Sequence, residues 1–485
     1  MRTHLPLAPL PLTVLTTTLL RCTAQAGIGY DPATQRLTLD SGPTELRLQV
    51  REGAVALEYL GPAGGPAWPA AVPEGWSTEP PRRQESAGVV EGRAFGLDGL
   101  RLLEHATSER HPGVAELQLV FEHRAVPLRL DVRYATWGDS GVITRRVTLT
   151  NSGAEPLRVQ SLPSLAWRLP AGEYELSYLH GGWGWERQLA TEPLGAGQRE
   201  FIQDRGRSTQ GQAPWFCLRN ATLGIRYAAQ LAWSGNWQMS FERRPSSRPV
   251  NQEDVRVELG MRFDFGGPLT LEPGRTFALP EVAFTASAGT LDDAANHLHR
   301  YQSEFVLPRS LANDPLLVQF NSWYPFPGKM TVGDMKRCAD IAAGLGAEVF
   351  VLDAGWYNKV RWERELGDWQ HDPVAFPNGL GELSQHVRSR GMRFGLWLEI
   401  ENLGADSQML PQHPDWCLSL DGKPVGRDAR YQLDFAKPEV RTWARGVFDR
   451  LARETKMGWV KMANTSSAPR SRIWAKSKRC RPAKE

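Results

Sequence analysis

Asp353, Glu399 and Lys461 stand among tryptophans at the ends of short apolar runs in the C-terminal half of the chain. The first run closes on Asn321-Ser322-Trp323 and the second on Asp353-Ala354-Gly355-Trp356. The third reads Trp397-Leu398-Glu399-Ile400-Glu401, and the fourth, Gly458-Trp459-Val460-Lys461-Met462-Ala463-Asn464, carries its lysine near the end. Carboxylates, a lysine and indoles gathered in one place can hydrogen-bond hydroxyl groups and stack on the apolar face of a pyranose ring. Singly they say little, because an aspartate after a strand commonly caps a helix and a tryptophan there commonly packs. Their occurrence together, at consecutive strand ends, favours a sugar pocket.

Such residues converge only if the runs are parallel strands of one sheet. The stretch Leu316-Leu317-Val318-Gln319-Phe320-Asn321 reads as a continuous apolar strand, followed by a helix from about 332 to 345. A strand at 348–352, a helix at 380–390 stopped by Gly391, a strand at 393–399, a helix at 438–455 and a strand at 459–462 follow. Buried strands alternating with helices of this length imply a parallel sheet, and strand ends rich in Trp, Asp and Glu suit a (β/α)8 barrel. Four of eight strand-helix units can be read, so the expected half barrel has two unpaired edges and an uncovered inner face. Along the second strand Val349, Val351 and Asp353 share a face, as Trp397 and Glu399 do on the third.

The N-terminal half has a different period. Leu117, Leu119 and Phe121 alternate with polar residues, as do Val126, Leu128, Leu130 and Val132, then Val147 and Leu149 before the turn Asn151-Ser152-Gly153. Period-two alternation with regular turns predicts a large antiparallel sandwich. The expected organisation is therefore multidomain β plus α/β. Residues 1–26 are a signal segment, 27–288 an antiparallel β-supersandwich, 289–314 a helical linker, 315–462 the first half of a (β/α)8 (TIM) barrel, and 463–485 an anomalous basic tail.

Composition narrows the function. The 485 residues are 41% hydrophobic and 23% charged, ordinary for a globular protein of two or three domains. Eighteen tryptophans are an excess that leans toward carbohydrate handling, although most must serve packing. The net charge of +3 arises in residues 463–485, where seven Lys or Arg face one acid. The rest of the chain is net negative, which argues against nucleic-acid binding. Cys22, Cys217, Cys338, Cys417 and Cys480 show no metal, redox or disulfide-framework spacing. Arg2, the apolar stretch Leu5 to Leu20 and Ala24-Gln25-Ala26 predict export to the periplasm or medium, the alternative being a cytoplasmic protein. No stretch beyond this leader approaches the ~20 apolar residues of a membrane span.

Taken together, the motifs resemble glycoside hydrolase family 36, the α-galactosidase (melibiase) family with an N-terminal β-supersandwich and a central barrel. Asn321-Ser322-Trp323, Leu352-Asp353-Ala354-Gly355-Trp356 and Gly395-Leu396-Trp397-Leu398-Glu399-Ile400-Glu401 are similar to its first three strands. Pro414-Asp415-Trp416 and Arg430-Tyr431-Gln432-Leu433-Asp434 match further barrel elements. His180-Gly181-Gly182-Trp183, Arg205-Gly206-Arg207-Ser208 and Leu271-Glu272-Pro273-Gly274 resemble sandwich signatures, so the likeness covers about residues 27–462. It implies that Asp353 hydrogen-bonds galactose hydroxyls, that Trp323 and Trp397 line and stack on the ring, and that Arg430 and Lys461 add hydroxyl contacts. It implies no cofactor or metal, α-galactosides as small-molecule substrates, and release of terminal α-D-galactosyl residues. It also allows a homo-oligomer in which sandwich residues reach a neighbour's site.

The same resemblance exposes what is missing. The family's nucleophile is the aspartate two residues after the lysine, and Ala463 stands there. The acid/base aspartate belongs to a later strand beyond this chain's last residue, and Ala354 replaces the second carboxylate of the strand-two pair. A retaining glycosidase needs two carboxylates about 5 Å apart, one to attack the anomeric carbon and one to protonate the leaving oxygen. No catalytic residue is therefore intact, and the expectation is an inactive copy. A frameshift or truncation would account for Ala463, the half barrel and the basic tail at once, though not for Ala354. Same-fold alternatives are an α-N-acetylgalactosaminidase or a raffinose-synthase-like transferase. From another class comes a non-catalytic galactose-binding protein using Trp323, Asp353, Trp397, Arg430 and Lys461.

Overall fold

The computed structural model describes residues 27–51, 53–68, 88–95, 99–182, 184–243, 255–263, 268–308, 316–357, 361–420, 423–427 and 429–462. The leader-like residues 1–26, Trp183, and the tail 463–485 with Ala463 lie outside the described residues.

Alternation in the N-terminal half becomes a ten-stranded antiparallel sheet, edged by Trp185–Pro193 on one side and Leu100–His111 on the other. Its register aligns the apolar positions across strands. Leu119 faces Val132, which faces Val147, and Phe121, Leu130 and Leu149 form a second row. All six are buried. Val126 stands outside this pattern, half-buried in the turn before the strand that begins at Leu128. A four-stranded sheet of Leu165–Leu169, Val255–Met261, Trp237–Arg243 and Gly197–Gln203 packs on the larger sheet. Trp167 meets Phe284 edge-on at 5.2 Å between ring centroids, and Phe216 meets Phe241 at 4.9 Å, so aromatic side chains fill the layer between the sheets.

The helix Leu291–Tyr301 lies on the outer face of the large sheet. Thr290 caps it by accepting from the Asp293 N–H, and Asp293 returns a bond to the Thr290 N–H, a capping box. Ala294, Leu298 and Tyr301 bury against Trp137, Cys217 and Ala228. The helix is thus part of the sandwich's own packing. Its His297 Nδ1 lies 2.9 Å from Thr285 Oγ1, itself 3.0 Å from Thr44 Oγ1. Burial, with Arg300 adding to it and Asp293 opposing, holds this imidazole below the ordinary 6.5. A lowered folded pKa means the unfolded chain takes up the proton first as pH falls. Stability is therefore complete above about 6.5 and declines below it. The melting temperature of the wild-type chain should fall more steeply between about pH 7 and 5.5 than that of His297→Gln.

In the C-terminal half four strands, Gln319–Asn321, Val349–Leu352, Arg393–Leu398 and Trp459–Met462, pair in parallel and in chain order. Helices Val332–Gly344, Leu380–Ser389 and Pro438–Thr455 connect them, the first capped by Thr331 and the last opened by Pro438. Met335 and Ala339, Leu383 and Val387, and Val447 and Leu451 face Phe350, Leu352, Phe394 and Leu396 in one core. Strands and helices in this order are how a (β/α)8 barrel begins.

Two expectations change. The first strand is three residues long, not six. Leu316 is 101% exposed and Val318 60%, because the strand is a sheet edge with one hydrogen-bonded neighbour among the described residues. Nor is the inner face uniformly bare: Val349 and Val351 are fully buried, and exposure collects on the outer strands, as at Gln319 beside Val349.

Candidate functional site

Asp353 directly follows the second strand and is 2% exposed. Its carboxylate collects three donors. Asn321 Nδ2 and Lys461 Nζ both donate to Oδ2, at 2.6 and 2.7 Å, and the Ala354 N–H donates to Oδ1 at 2.8 Å. These groups come from the first, second and fourth strands. The parallel register sets Asn321 beside Val351 and Lys461 beside Trp397, so the lysine stem spans the third strand to reach the acid. A carboxylate offers about four acceptor positions, and three are taken. Asp353 can accept roughly one further hydroxyl. Lys461, with its side chain 40% exposed, keeps two of its three N–H donors for other partners.

The turn that presents Asp353 is tightly specified. Ser322 Oγ accepts from the Asp353 N–H at 2.9 Å, and Asn321 Oδ1 accepts from the Trp323 N–H at 2.8 Å. Gly355 has φ +112°, and a Cβ there would sit 2.7 Å from the Gly328 backbone. Both the backbone region and the space exclude a side chain. Gly355→Ala is expected to cost well over about 1 kcal/mol, read as a lower urea midpoint.

Aromatic side chains form the wall beside this acid. Trp397 is 3% exposed and packs among Tyr357, Trp362 and Trp369, with the Trp362 centroid 5.7 Å away and nearly perpendicular. Its ring offers little open face for stacking. Trp323 is half-buried and meets Trp362 edge-on at 5.4 Å. The guanidinium carbon of Arg430 lies 4.8 Å over the Trp362 ring, within cation–π range. Arg430 also pairs with the fully buried Glu399 at 3.7 Å, and Asn402 Nδ2 donates to that carboxylate at 2.7 Å. Tyr357 donates to the Trp362 carbonyl at 3.2 Å. Burial first, then Glu399 nearby, pushes the Tyr357 phenol far above its usual range, so it remains a donor.

Asp353 and Lys461 are thus in contact, while Trp323, Trp397 and Arg430 join through Trp362. Sequence reading passed over Trp362 and the role of Asn321. The asparagine is legible as the first strand's terminal polar residue, whereas nothing in its loop distinguishes Trp362. The position of Ala463 lies outside the described residues. Ala354 is 1% exposed and part of the core. Among the described residues no group of three His, Cys, Asp or Glu is placed to hold a metal, and no helix is long and apolar enough to cross a membrane.

Two family models match the chain, the glycosyl hydrolase family 36 N-terminal domain over residues 61–261 and melibiase over residues 276–478. The second runs past Met462, where the resemblance was expected to stop. Alpha-galactosidase AgaA of Geobacillus stearothermophilus is 31% identical over 381 residues, covering 76% of this chain and 50% of that protein. Alpha-galactosidase Mel36A of Lactobacillus acidophilus is 28% identical over 352 residues, covering 71% of this chain and 47% of its own length. The chain spans about half the length of the curated relatives it matches. A substituted form of AgaA, solved in complex with raffinose, superposes with a TM-score of 0.78 at 23% identity, over 90% of this chain and 68% of that one. At that identity the likeness shows a shared fold.

Proposed function

The chain belongs to glycoside hydrolase family 36, and on that premise we propose that its strand-end pocket binds a terminal α-D-galactosyl group without cleaving it. The observation that carries this reading is the Asn321–Asp353–Lys461 cluster beside an indole wall. Asp353 accepts from one hydroxyl, Lys461 donates to others, and Trp323 offers the half-open ring face. Arg430 adds N–H donors from across Trp362. The raffinose bound to AgaA supports α-galactosides as the ligand class.

Cleavage is a separate matter. With Ala463 in the place that the resemblance gives to the nucleophile, no carboxylate attacks the anomeric carbon or offsets oxocarbenium-like charge. Contacts made equally to ground and transition states bind without accelerating. The non-catalytic reading is therefore favoured here over a hydrolase, an α-N-acetylgalactosaminidase or a transferase. Export remains part of the proposal, on the leader pattern of residues 1–26, and N-terminal sequencing of the mature protein tests it.

Titration calorimetry with galactose and melibiose is expected to show binding that Asp353→Ala weakens by about a hundredfold or more. An aryl α-galactoside should release no phenol above background. Release that disappears in Asp353→Ala would overturn the non-catalytic reading, and absence of any binding would overturn the sugar pocket.

A further inference from the structure

Glu399 directly follows the third strand, where spacing offers an acid for hydroxyl contacts, yet its side chain is 0% exposed. A ligand does not reach it. Protein groups hold its carboxylate in place. Asn402 Nδ2 donates to Oε1 at 2.7 Å, and the Asn402 N–H donates to the Glu399 carbonyl at 3.3 Å. The turn after the strand therefore orients the acid. Arg430 Nη1 stands 3.7 Å from the same Oε1.

Arg430 comes from an excursion between the third strand and the helix Pro438–Thr455. There Asn402–Gly404, Arg430–Gln432 and Gly426–Arg427 form a small antiparallel sheet, with Arg430 opposite Gly404. The Ala405 N–H donates to the Ala429 carbonyl at 2.8 Å, which extends the pairing beside Arg430. Backbone pairing fixes where the stem begins. It does not fix the guanidinium, because a long arginine stem has many rotamers. Two contacts choose among them: the Trp362 ring, 4.8 Å from the guanidinium carbon, and the Glu399 carboxylate. At 3.7 Å the ion pair is too long for a good hydrogen bond. Its side chains are 9% and 0% exposed, however, so water screens their attraction far less than at a surface. We propose that Glu399 is a positioning residue that holds Arg430 over the Trp362 ring, keeping its N–H donors at the pocket wall. The consequence for sugar affinity rests on the galactoside-binding reading; the positioning itself does not.

Glu399→Gln keeps the volume and an acceptor for Asn402 but removes the charge. An enclosed cation deprived of that partner turns toward water. With 5-fluorotryptophan incorporated and the Trp362 signal assigned through Trp362→Phe, Arg430→Met marks the shift caused by losing the cation. Glu399→Gln should move the signal most of the way to that limit, and should move it no further when combined with Arg430→Met. An acid that merely supports the strand end would shift the signal equally in both backgrounds. Glu399→Asp, which keeps the charge but withdraws it, carries the test if the glutamine variant does not fold. Its expected shift is smaller, in the same direction, and absent beside Arg430→Met. In calorimetry with methyl α-D-galactopyranoside, Glu399→Gln should weaken binding about tenfold alone and less than about twofold beside Arg430→Met. An unmoved signal in the folded variant, or equal shifts in both backgrounds, overturns the proposal. A moved, non-additive signal in a chain that binds no galactoside leaves the positioning standing and removes the sugar reading instead.

Discussion

Asp353→Ala is expected to weaken galactoside binding by about a hundredfold or more, the sum of one lost charge-assisted bond and two disordered donors. The carboxylate does more than accept from a ligand. It fixes Asn321 Nδ2 at 2.6 Å and Lys461 Nζ at 2.7 Å, two donors that come from opposite edges of the four-stranded sheet. A direct bond to a charged acceptor contributes about 1.5–3 kcal/mol, and releasing the lysine adds to that because its stem must be reordered on binding. Asp353→Asn keeps the shape and one oxygen but loses the charge, so its affinity should fall between those of the wild type and the alanine variant. The stability cost should stay near 1–3 kcal/mol, below that of breaking a fully buried pair, because the Lys461 side chain is 40% exposed and water can take over its ammonium. Calorimetry for the dissociation constant and urea melts for stability would check both numbers. An alanine variant that binds as the wild type does would remove Asp353 from the pocket altogether.

Trp397→Ala should act mainly on folding, with a loss of about 3–5 kcal/mol. The indole is 3% exposed and touches Tyr357, Trp362 and Trp369, whose own positions depend on it. Its backbone carbonyl, which accepts from the Trp356 indole at 3.1 Å, is retained in the variant, so the expected loss is one of packing. A cavity of that size beside the strand ends should lower the urea midpoint without changing the m value. Trp323→Ala offers the contrast. Its ring is half-buried, so its truncation should cost less stability and a larger share of sugar affinity. If Trp397→Ala proved as stable as the wild type, the wall would not be the packed unit described above.

The acid, the lysine and their strand ends were legible because each follows an apolar run whose period is local. The helix Pro438–Thr455 and the strand Trp459–Met462 begin and end where the pattern places them, since proline and the change of period mark those boundaries. The first strand was over-read. Apolar residues at 316–318 cannot declare that they lie on an edge, and edge position is a property of the sheet. Trp362 was not legible as a site residue for a related reason: it opens the short helical turn Trp362–Arg364 in a connection between strands, where no hydrophobic period marks it.

Motif resemblance by itself pointed to the family, and residue type and spacing to the two kinds of sheet and the strand ends that carry the acids and the lysine, because these depend on local periodicity and on strand order. Tertiary structure alone decided that Trp397 is wall and not open platform. It also decided that Lys461 pairs with Asp353 and not with Glu399, and that Asp353 has about one acceptor position left. Burial and electrostatic reach depend on what folds back from distant parts of the chain, and no window of sequence contains that.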